Sequence, residues 1–83
     1  MAGISEAKEL EENNMNQGRV LYKGEFIDNG LLIKFLLIEL DNDQGIITQF
    51  DYGSDLRFNE KVETGSYVYL NILDDYTAEW NLK

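Results

Sequence analysis

From residue 19 onward, apolar side chains recur at every second position, in runs broken by Asn, Asp and Gly. That is the period of half-buried strands, whose successive side chains point to opposite faces. Arg19–Ile27 is rich in strand formers, with Val20, Tyr22 and Phe26 suited to one face, and Lys23-Gly24 in its middle predicts a bulge or bend. Asp28-Asn29-Gly30 predicts a hairpin, because Asn-Gly supplies the positive φ angles of a tight turn. Leu31–Leu40 (LLIKFLLIEL) is apolar in both alternations. Alone it reads equally as a buried helix; the turns at Gly30 and Gly45 favour a long central strand covered on both faces.

Asp41-Asn42-Asp43-Gln44-Gly45 closes a second hairpin, and Ile46–Tyr52 returns with Ile46, Thr48, Phe50 and Tyr52 in phase. Gly53 to Gly65 reads as a longer connection whose Leu56, Phe58 and Val62 plug one end of the sheet. Ser66–Leu73 alternates with Val68, Leu70 and Ile72 inward and Tyr67, Tyr69 and Asn71 outward. Asp74-Asp75 marks a turn, and Tyr76–Leu82 supplies a last strand with Ala78, Trp80 and Leu82 on one side. The expectation is about five strands in up-and-down order, forming a strongly twisted antiparallel sheet or a small barrel.

The first eighteen residues follow another pattern. Ile4 to Asn14 predicts a short helix with Ser5 as N-cap, Glu6 in the first turn where the helix dipole favours an anion, and good formers through Glu12. Its apolar face is thin, formed by Ile4, Ala7 and Leu10, so it needs a surface to dock on. The polar run Asn13 to Gly18 separates it from the strands. The fold class expected is therefore α+β, a single domain over 1–83, with an acidic helix and polar connection in 1–18 and a β-meander in 19–83.

Composition narrows the function. At 83 residues with no Cys and no His, neither a disulfide framework nor a zinc site is available, and stability must come from packed apolar surface. No window approaches the roughly 20 apolar residues of a membrane span, and the acidic first segment is unlike a secretory signal, so a cytoplasmic location is expected. Formal charge is −9, spread unevenly: −3 over 1–18, zero over 19–40 and −6 over 41–83. Such a field repels nucleic acid and anionic lipid and attracts basic surfaces, although the same acidity also serves plain solubility.

The chemical motifs fail one by one. In an EF-hand loop Gly45 takes the sixth position, which places Leu40 where the first Asp belongs, with no closing Glu. No Gly-x-Gly pair suggests a phosphate loop, and nucleophilic catalysis lacks both Cys and His. Asp74-Asp75 and Asp51/Asp55 are the only carboxylate pairs available for acid–base work, and acids at turns are usually solvated. The expectation is a protein that is not an enzyme and takes no cofactor or metal. Tyr67 and Tyr69, with Trp80 and Tyr52 nearby, offer either a stacking platform, cross-strand pairs or protein contact.

What remains is the placement of acid. On a helix Glu6, Glu9 and Glu12 recur at i, i+3, about 4.5 Å apart along the axis. The hairpin ends carry Asp41, Asp43, Asp74 and Asp75. One DNA strand carries a phosphate about every 3.4 Å, so ordered carboxylates at this scale can imitate part of a phosphate track. Small size, a pI near 4.2, the absence of Cys and His, and a β-rich body with the acidic segment Ser5–Glu12 together resemble the phage-encoded acidic DNA-mimic proteins. Within that group the likeness is to inhibitors of the histone-like nucleoid protein HU.

The resemblance implies a compact acidic domain that blocks a basic DNA-binding protein of a bacterial host and does not itself bind nucleic acid. It shares no motif, so the candidate contact residues come from the pattern of this chain: Glu6, Glu9, Glu12, Asp41, Asp43, Asp51, Asp55, Asp74 and Asp75, with Tyr67 and Tyr69 for apolar contact. The alternative is a structural or adaptor domain that uses Leu31–Leu40 or Tyr76–Leu82 for protein contact or self-association, and a homodimer is compatible with either.

Overall fold

The computed structural model describes residues 16–53 and 55–83. Six strands build one sheet: β1 (Gln17–Asp28), β2 (Leu31–Leu40), β3 (Gly45–Asp51), β4 (Leu56–Phe58), β5 (Tyr67–Ile72) and β6 (Ala78–Leu82). Their order is β3-β2-β1-β5-β6-β4, antiparallel throughout except for the parallel pair β4/β6.

This corrects the α+β expectation: the described residues are all-β, in a mixed sheet of six strands, with no helix among them. The helix expected over Ile4–Asn14 lies outside the described residues. The sixth strand hides in the connection Gly53–Gly65. Three residues are too few to display a period of two, and a parallel partner leaves no hairpin turn to read. The up-and-down order also breaks, because β1 pairs with β5 rather than only with its chain neighbour.

The turns follow their residue chemistry. Asn29 and Gly30 take φ of 50° and 79°, the left-handed pair that a two-residue hairpin demands. In the second hairpin Asn42 and Asp43 both sit at φ 58°, a conformation these short polar side chains tolerate better than other residues. The β1 bulge falls between Val20 and Tyr22, ahead of the Lys23-Gly24 position that the sequence suggests. Gly24 has a different task. A Cβ there would stand 2.6 Å from the Phe35 ring and 2.7 Å from the Tyr22 ring, so its missing side chain lets both rings close over the strand.

One face of the sheet holds the core: Val20, Leu36, Ile38, Val62, Val68 and Trp80 are all buried, with Ile47, Leu56 and Phe58 among the half-buried side chains packed against them. Val62 comes from the loop after β4 and plugs the core as its sequence suggests. The sheet curls until its edge strands β3 and β4 lie side by side. No backbone ladder joins them. Side chains bridge this seam: the Phe58 amide of β4 donates to Asp51 Oδ2 of β3 at 3.3 Å, and Trp80 Nε1, on the neighbouring β6, donates to Gln49 Oε1 of β3 at 3.2 Å.

The opposite face of β1–β3 carries a chain of rings. Tyr22, Phe26, Phe35, Phe50 and Tyr52 meet with centroid separations of 5.9 to 6.4 Å. The second apolar alternation of β2 is explained by this layer, since Ile33 is buried and Phe35 and Leu37 are half-buried there. The strand is not covered along its whole length, however. Leu31 and Leu32, next to the turn, are exposed.

Candidate functional site

The register places the acidic turns. Gly18 of β1 lies opposite both Leu40 of β2 and Val68 of β5, so β2 and β5 run the same way from that row. The turn after Leu40 carries Asp41 and Asp43, and the turn after Ile72 carries Asp74 and Asp75. Both therefore project from the end of the sheet where β1 begins. Asn16 and Gln17 enter between them, their carbonyls accepting from the Leu70 amide at 2.7 Å and the Asp41 amide at 3.1 Å. Asp55 flanks the second turn, since its carbonyl accepts from Ala78, the first residue of β6. Glu6, Glu9 and Glu12 lie outside the described residues.

Asp41 is the best-anchored of these acids. Its Oδ2 accepts from the Tyr67 hydroxyl and from Gln17 Nε2 at 2.8 Å, and Gln17 Nε2 also reaches Tyr67 Oη at 3.1 Å. The Tyr67 bond first, then the Gln17 bond and the charges of Lys83 and Arg19, hold the Asp41 carboxyl below its ordinary pKa. The same bond pushes the Tyr67 phenol up, because ionising it would place two anions together. Arg19 lies over the Tyr67 ring, 5.4 Å from its centroid, and donates to the Gly65 carbonyl at 2.8 Å. Arg19, Asp41 and Tyr67 line an open groove of about 610 Å³ together with Glu39, Asp43 and Ile46. Its three carboxylates against a single guanidinium, itself already engaged, suit a Lys or Arg side chain.

Asp74 is used locally: its Oδ1 accepts from the Tyr76 amide and the Thr77 hydroxyl, both at 2.8 Å, and these bonds lower its pKa. Asp43 and Asp75 are exposed and make no side-chain hydrogen bond among the described residues. Asp51 stands apart at the far end of β3, opposite Lys34, where its carboxylate accepts from the Gly53 amide at 2.7 Å and from Phe58. It shapes the β3–β4 connection. Tyr67 and Tyr69 are half-buried, Tyr67 against the Asp41 cluster and Tyr69 across from Gln17 and Asn81.

Two residues at the site escape the sequence reading. Glu39 carries a signal, since it shares the outward phase of β2 with Phe35 and Leu37. Gln17 carries none, because only the fold brings it to Asp41, 24 residues away. Among the described residues no group of three or more carboxylates is arranged to hold a metal ion, and no helix is long and apolar enough to cross a membrane. No protein-family model, no curated protein and no solved structure matches the chain.

Proposed function

We propose that the protein is a non-enzymatic acidic DNA mimic that binds a basic DNA-binding protein of a bacterial host, of the histone-like HU kind, and denies it DNA. The observation that supports this most is directional: Asp41, Asp43, Asp74 and Asp75 project from one end of the sheet, while the hairpin at the other end, Lys23 to Lys34, carries two acids and two bases. Acidity serving solubility alone needs no such polarity. The field therefore steers a basic surface to one end, where the Asp41 groove receives a Lys or Arg side chain. A location in the host cytoplasm follows from that choice of partner.

An affinity column carrying the full chain, loaded with bacterial lysate and eluted in salt steps, tests the reading. Histone-like or other DNA-binding proteins in the high-salt steps support it. A column that retains none of them contradicts it.

A further inference from the structure

The β1–β2 hairpin reaches well past the body. β5 covers β1 only at Gln17–Arg19, and the loop before β5 adds bonds at Val20 and Lys23. Among the described residues, the outer edge of β1 beyond Lys23 has no neighbour in the sheet. The Lys23 amide donates sideways to Thr64 Oγ1 at 3.0 Å, away from β2. Backbone direction alternates along a strand, so Glu25 and Ile27 turn their N–H and C=O groups to the same open side. No backbone bond occupies them among the described residues. Natural edges are usually blunted by proline, a bulge or charged side chains; Gly24–Asp28 has neither proline nor bulge, and of its two charges Glu25 lies across from Lys34 and Asp28 lies at the turn. Exposed apolar side chains lie on both faces beside them: Ile27 is 66% exposed, Leu31 64%, and Phe26 and Leu32 are exposed as well.

We propose that this edge pairs with the same edge of a second copy, antiparallel about a two-fold axis centred on Phe26. A two-fold contact is self-complementary, so one patch serves both copies. Centring on Phe26 puts Glu25 opposite Ile27 of the second copy, and four backbone hydrogen bonds satisfy the open groups. Centring on Glu25 would instead set two carboxylates face to face. Each Glu25 keeps Lys34 of its own hairpin directly across from it.

Charge favours a second copy over a foreign basic protein. The arm from Lys23 to Lys34 is neutral in a chain of net −9, so two arms meet without net repulsion, while a basic partner is drawn to the other end. Pairing also joins the two ring layers into one continuous face.

The test uses the full chain. Sedimentation of the wild type at about 100 µM, well above a micromolar dissociation constant, is expected to give twice the 9.6 kDa chain mass. Ile27→Pro removes an outward N–H without touching the β1–β2 ladder, and is expected to be a folded monomer. Phe26→Cys adds a cysteine to a chain that has none. In this register the two copies of residue 26 are about 4.5 Å apart at Cα, and oxidised glutathione is expected to link them, whereas Tyr76→Cys stays unlinked. A monomeric wild type overturns the proposal. So does a dimer in which residue 26 does not cross-link. Protection of the Glu25 and Ile27 amides in a monomer also overturns it. None of these outcomes bears on partner binding at the acidic end.

Discussion

The Tyr67 hydroxyl donates to the Asp41 carboxylate and so ties the β2–β3 turn to β5 across the start of β1. The bond holds the Asp41 carboxyl below its ordinary pKa, so Asp41 stays ionised to lower pH than a free carboxylate does.

That relationship gives a pH window. Asp41 has a lower pKa folded than its ordinary 3.8. Its contribution to stability is therefore present above that value and lost as pH falls through the folded one. Tyr67 is raised from 10.0, so its contribution is complete below that value and lost as pH rises through the folded one. Thermal melts of the wild type and Asp41→Asn should differ most between those limits and converge at pH extremes. Equal differences at pH 3 and pH 7 would show that the bond does not carry the effect.

Trp80 is the sole tryptophan and is 1% exposed, with Gln49 as the acceptor for its indole N–H. Gln49→Ala leaves that buried donor unpaired and should cost about 1–3 kcal/mol. It also opens the junction of β3 and β4. Denaturant unfolding followed by Trp80 fluorescence checks both, through a lower midpoint and a red-shifted native emission.

Val62 plugs the core from a loop, with no ladder of its own. Val62→Ala removes two methyl groups from a fully buried site and should destabilise by about 2 kcal/mol. A loss below about 0.5 kcal/mol, the range of surface substitutions, would place Val62 outside the core.

Asp43 and Asp75 are both exposed, and Asp43 also holds a turn conformation at φ 58° that Asn tolerates equally well. Asp43→Asn with Asp75→Lys should leave the melting temperature close to wild type. Affinity for a histone-like protein should fall on the order of tenfold, about 1.4 kcal/mol, or more. Asp51→Asn is the contrasting change. It weakens the acceptor for the Gly53 and Phe58 amides, so stability should fall while binding holds.

Much of this fold is legible in the chain. Asn29-Gly30 and Asp41 to Gly45 announce their hairpins, and the alternation of Val68 and of Trp80 gives their burial. The double alternation of Leu31–Leu40 is legible as a two-sided strand, though not which layer covers each side. β4 was hidden by its length and parallel partner, and the β1–β5 pairing by the absence of any local signal for contacts 50 residues apart. At the site, residue type reveals the acids but not their duties. Asp51 and Asp43 look alike in sequence; only the fold shows one engaged by amides and the other open.

The central claim is that the acidic end competes with DNA for a basic protein, and displacement measures it directly. A fluorescent DNA duplex bound to the histone-like protein HU is titrated with the full chain, with wild type and the Asp43→Asn/Asp75→Lys variant compared between about 50 and 300 mM salt. The wild type is expected to release the DNA, its affinity for the protein to fall steeply with salt, and the variant to be much weaker. DNA that stays bound, or is released equally well by the variant, would contradict this.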